Sequence, residues 1–230
     1  TIVDLARNID AKNNLNINSG GIIKTDAFVV TASNPGRTTG VTGYQAPNAI
    51  GNYNNDKYVY GSLERAINTT GIYDFPVGDA VAGEAYNPTR LDIITGTGNA
   101  TAKFVAGTPG TITVPKTDFV CSGSTKFVEY DKMTGEGWWN FTSSTSTTFN
   151  YNMYLHPNIL NVNTYPNDDT PDETPGYRDA YRALKAPSGT GGGTWPASIA
   201  LDGDPCVVGT YYEIPGFNYT GFSDAAPGGG

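Results

Sequence analysis

The 230-residue chain has a single histidine, His156, and only two cysteines, Cys121 and Cys206. A hydrolytic triad needs a nucleophile, a base and an orienter, and one histidine before a proline gives no such pattern. His156 therefore reads as a loop or strand-end residue. No GxSxG, P-loop, HExxH or CxxC occurs. Two carboxylates suffice for a glycosidase, but nothing marks out a pair among the 22 acidic residues. Charge is scarce as well, at 16 % of residues, against about 25 % in an ordinary soluble domain. The net charge of −8 leaves no basic patch for phosphates and argues against a nucleic-acid partner. No apolar run approaches the ~20 residues of a membrane-spanning helix. The chain starts at Thr1 without a methionine or signal peptide, so it is expected to be processed or an excerpt of something longer.

What fills the space is Thr, Asn, Ser and Gly, with 29 glycines and 15 prolines, and the aromatics, 15 Tyr, 9 Phe and 3 Trp. An uncharged polar surface on a turn-rich frame points to an extracellular or cell-surface protein. In that compartment Cys121 and Cys206 are expected to form one bridge, the alternative being two buried thiols.

Strand signals dominate. In "TFNYNMYL", Phe149, Tyr151, Met153 and Leu155 alternate with polar neighbours, the period of a half-buried strand. "ATAKFVAG" repeats this with Ala100, Ala102, Phe104 and Ala106. In "KYVYGSLERAI", Val59, Leu63 and Ile67 share one face and Tyr58, Tyr60 and Glu64 the other. "IIKTDAFVVT", "RLDIIT", "TITV", "KFVEY" and "VVGTYYEI" are further strands, separated by Gly, Pro and Asn clusters. The expected fold is all-β, an antiparallel β-sandwich of jelly-roll or immunoglobulin-like type. It is read either as one continuous domain or as two parts, an N-terminal β subdomain over 1–114 and a C-terminal sandwich subdomain over 115–230. No repeat of fixed length runs along the chain, although "NNLNINSGGIIKTDAFVVTASN" suits one or two solenoid-like rungs. The one helical candidate is "TPGYRDAYRALK", capped by Thr174, with a strand as its rival.

Few residues suggest a ligand. Asp168, Asp169, Asp172 and Glu173 in "NDDTPDET" form a candidate calcium loop, and Asp202 and Asp204 are of the same kind. The competing reading is a solvated acidic loop broken by proline, with no cofactor at all. Of the adjacent Trp138 and Trp139, a strand would turn one inward and one outward, where it could stack on a sugar.

One stretch is more specific. "YVYGSLERAINTTGIYDFPVGD…YNPTRLDI" resembles a phrase of large secreted surface proteins of the Bacteroidota, gliding or adhesin-like cargo of the type IX secretion system. The closing "YRALKAPSGTGGGTW" and "YTGFSDAAPGGG" are similar to the end of the same module, with Ala225 where that family carries an aromatic. The resemblance implies secretion and a structural, non-enzymatic role. Within the phrase, Tyr73 and Phe75 are expected to point inward, Pro76 to end strand pairing, and Gly78 to permit a tight corner.

The resulting expectation is a non-enzymatic module of an extracellular filament or surface adhesin. Its partner would be itself as a homopolymer, assembling through Val3, Leu5 and Ile9 of an N-terminal strand and through Phe222 near the C-terminal one. The alternative is a carbohydrate-binding or glycan-active secreted protein that meets surface glycans through exposed rings.

Overall fold

The computed structural model describes residues 2–18, 21–47, 57–79, 86–107, 110–112, 117–121, 124–128, 132–133, 137–145, 148–156, 182–186, 193–195 and 214–229. The strands are β1 (Ile2–Asp4), β2 (Ile9–Ala11), β3 (Leu15–Asn16), β4 (Ile22–Ala32), β5 (Val41–Thr42), β6 (Val59–Ile67) and β7 (Gly71–Phe75). They continue as β8 (Val77–Gly78), β9 (Thr89–Thr95), β10 (Gly98–Ala106), β11 (Gly110–Ile112), β12 (Thr117–Cys121), β13 (Ser124–Val128) and β14 (Lys132–Met133). The last are β15 (Gly137–Thr142), β16 (Asn150–Leu155), β17 (Arg182–Ala186), β18 (Gly193–Trp195), β19 (Ile214–Thr220) and β20 (Asp224–Gly229). No helix occurs among the described residues. The part of the helical candidate that is described, residues 182–185, lies in strand β17.

The main sheet has ten strands in the order β1-β4-β6-β10-β15-β20-β14, with β2 beside β4, β8 beside β6 and β17 beside β20. A second sheet runs β19-β16-β9-β7. Each takes strands from both sides of residue 114, so the pairing does not part at the expected boundary. Their inward residues form one core cluster. The main sheet contributes Val30, Leu63, Ala102, Phe104, Trp139 and Phe141, and the second contributes Tyr73, Phe75, Leu91, Tyr151 and Met153. The alternation read from the sequence sets these directions, since β6 is buried at every second residue from Val59 to Ile67 and β16 from Tyr151 to Leu155.

The expectation of a wholly antiparallel fold is corrected. β1 pairs β4, β2 pairs β4, β4 pairs β6, β6 pairs β8 and β3 pairs β5, all in parallel. Parallel neighbours need a crossover connection, and here the chain circles back through β3 and β5 to supply it. The N-terminal stretch thus stacks rung on rung. Register places like on like: Ile2 beside Ile22, and Val3, Ile23, Val59 and Val77 in one four-strand column. The rest of the main sheet and all of the second sheet pair antiparallel.

One irregularity interrupts the parallel ladder. Between Lys24 and Val29 the register of β4 on β6 shifts, and Asp26 there has φ 47°, the one positive value at a non-glycine among the described residues. The bulge turns Thr25 into the sheet, where it is fully buried.

Candidate functional site: the FPVG corner and the β1–β2 edge

The corner begins at Gly71, whose φ of +111° suits the turn from β6 into β7. Along β7, Tyr73 and Phe75 are fully buried, as their alternation requires. Strand β7 ends at Phe75, which pairs Thr89 in the second sheet. Two residues later Val77 pairs Val59 in the main sheet. Pro76 is therefore where the chain changes sheets, its carbonyl accepting the Val59 N–H at 2.8 Å. Gly78 departs from expectation. It is a buried strand residue paired with Tyr60 and bridged to Tyr86, not a left-handed turn residue.

Arg65 ties the same two sheets together. It lies on β6 in phase with Leu63 and Ile67 and is fully buried. Its guanidinium donates to the Asp74 carbonyl at 2.5 Å and to the Gly36 and Arg37 carbonyls at 3.0 and 2.9 Å. It also stands 5.3 Å from the Tyr73 ring centroid and 5.9 Å from that of Phe75. Burial pulls its pKa down, opposed by the nearby Tyr44 and Asp74. The Asp74 carboxylate accepts from Arg90 Nε at 2.8 Å and from the Tyr44 hydroxyl at 2.8 Å. Burial first, and that carboxylate second, push the Tyr44 pKa up.

The remaining words of the phrase close the corner. The Tyr58 and Tyr86 rings stack at 5.7 Å, and their hydroxyls donate to the Asp79 and Gln45 carbonyls. Asn87 N–H reaches Val77 O, and Trp139 Nε1 donates to Asn87 O at 2.9 Å. His156 follows β16, fully buried, with its N–H on Pro88 O. These contacts tie neighbouring segments together, and Tyr58, Tyr86, Asn87, Trp139 and His156 are all buried. Sequence reasoning missed Arg65, although its core phase between Leu63 and Ile67 was an available signal.

The other feature is an edge. β1 and β2 each pair only β4 among the described residues. Ile2, Val3 and Ile9 are 59, 50 and 42 % exposed, three of the five large apolar side chains so exposed among the described residues. No lysine or proline lies between residues 2 and 11 to guard this edge. Of the four residues expected to assemble, Val3 and Ile9 are exposed here. Leu5 is buried in the chain's own core, and Phe222 packs 4.9 Å from Phe149 and 5.2 Å from Tyr151, ring to ring. The C-terminal strands pair within the chain as well, since β19 pairs β16 and β20 lies between β15 and β17. Ala225, the departure from the resembled phrase, is fully buried and lies directly opposite the buried Trp139 on β15.

Trp139 points inward and Trp138 is half-buried on the outer face of β15. The backbone of Cys121 ends β12, while Cys206 lies outside the described residues. So do Asp168, Asp169, Asp172, Glu173, Asp202 and Asp204. No family model, curated protein or solved structure matches the chain.

Proposed function

We propose that the chain is a non-enzymatic structural module of an extracellular filament or cell-surface adhesin, built as a β-sandwich from the two larger sheets. The observation that carries this reading is the parallel ladder ending at β1 and β2, an edge that no other described strand covers and that exposes Ile2, Val3 and Ile9. A strand edge of this kind is a template for another chain. The buried aromatic and arginine contacts of the corner fit a part that bears load between two sheets. The polar, charge-poor surface and the resemblance to secreted surface proteins support export to the cell surface, with Cys121 and Cys206 bonded there.

Antibodies raised against the folded module should decorate intact source cells, or fibres sheared from them, under the electron microscope. Label that appears only after lysis overturns the reading. The carbohydrate-binding alternative draws on Trp138, but most described rings, including Tyr58, Tyr73, Tyr86, Tyr151 and Trp139, are buried. Glycan binding that disappears in Trp138→Ala would favour it instead.

A further inference from the structure

We infer that the β1–β2 edge pairs with the same edge of a second copy about a two-fold axis, antiparallel, in the register that sets Ile2 against Ile9 and Asp4 against Arg7. This rests on the edge being an association surface, as proposed above, and adds the partner and the geometry.

The edge is self-complementary. A two-fold interface uses one surface patch twice, so each residue must suit its opposite number within a single stretch of chain. In an antiparallel pair, directly opposite side chains share a face and lie close enough to interact. In the stated register the exposed isoleucines Ile2 and Ile9 meet one another and, of the three charged residues of the edge, Asp4 meets Arg7. Val3 faces Asn8, and the bend at residues 6–7 falls beside the axis in both copies. Neighbouring registers lose this match. A shift of one residue sets Val3 against Ile9 but Ile2 against Asp10 and Arg7 against Leu5, and leaves Asp4 without its opposite charge. The opposite shift sets Val3 against Arg7 and Ile2 against Asn8.

The groups are placed to serve. Arg7 is exposed and takes part in none of the ion pairs among the described residues. The Asp4 side chain is 68 % exposed, and its one ion pair among the described residues is with Lys24 at 3.6 Å. Asn8 Oδ1 accepts the Val29 N–H at 3.0 Å, which fixes the bend between β1 and β2 against β4. Both strands are thereby presented as a preformed edge.

The test is sedimentation equilibrium of the full 230-residue chain, with circular dichroism to check that each variant folds. The wild type should be a dimer. Arg7→Glu should raise its dissociation constant by about tenfold or more, and the exchange Asp4→Arg with Arg7→Asp should restore it. Val3→Lys, which guards the edge without touching the charge pair, should also give monomers. A wild type that stays monomeric, or an Arg7→Glu variant that dimerises as tightly, overturns the inference. Open polymers overturn the two-fold arrangement while leaving the surface-module reading intact, since cell labelling tests that separately.

Discussion

Thr25 occupies the space where a side chain on Gly61 would be. A Cβ built on Gly61 would lie 2.0 Å from Thr25 Oγ1, and that oxygen accepts the Ser62 N–H at 2.9 Å. Gly61 also has a φ of +118°, which side-chain-bearing residues rarely adopt. Gly61→Ala should therefore cost at least about 2 kcal/mol in urea unfolding. Combined with Thr25→Ala the loss should be less than additive, by about 1 kcal/mol. The clash would be relieved while the backbone strain stays. Strict additivity would show that the two residues do not share this space.

Phe75 is the last residue of β7, fully buried where the chain changes sheets. Phe75→Ala should destabilise the fold by about 3 to 5 kcal/mol, the usual loss for a buried phenylalanine. Chemical denaturation monitored by tryptophan fluorescence would measure it.

Arg65 satisfies three backbone carbonyls on two different segments. Arg65→Met would leave them buried without a donor, costing about 3 kcal/mol or more. Arg65→Lys should recover little of this, because one ammonium cannot span both directions as the planar fork does. Equal stability of the lysine variant and the wild type would contradict the bridging role.

Alkaline pH offers another check. Burial raises the pKa values of Tyr44, Tyr58 and Tyr151, with carboxylates adding to the first two. A group raised in the folded state stabilises fully below its unfolded pKa, and that contribution is lost as pH climbs through the folded value. Stability should therefore fall as pH rises beyond about 10, the unperturbed tyrosine value. In a spectrophotometric titration these phenolates should appear together with unfolding, not before it.

Much of this was legible from alternation alone. The inward faces of β6, β10 and β16 and the burial of Phe75 follow from a period of two. Alternation fixes which face a residue takes, but it is silent on which strand lies beside it and in which direction. The parallel stacking of β1, β4, β6 and β8 was therefore hidden, apart from the rung-like character of residues 13–34. Arg65 was hidden for a different reason. A charge is expected outside, and only the carbonyls of Gly36 and Arg37, remote in sequence, and of Asp74 on the next strand make it tolerable inside. Gly78 misled because a glycine close after a proline signals a turn, whereas here the positive φ values fall on Gly71, at the turn into β7, and on Gly61, inside β6.

Strand β20 has a consequence for how the molecule reaches this state. It lies between β15 and β17, and Asn140 on β15 donates to Asp224 on β20 at 2.6 Å across 84 residues of chain. Contacts so distant must be closed against loop entropy before they stabilise anything, which makes folding slow. Until residues 224–229 arrive, Trp139 has no Ala225 opposite it and β15 offers an open ladder. The interval before that last strand docks is when the nascent chain is most exposed to mispairing and to proteases. Chaperones that shield β15 should therefore raise its folding yield more than those acting on the finished N-terminal rungs.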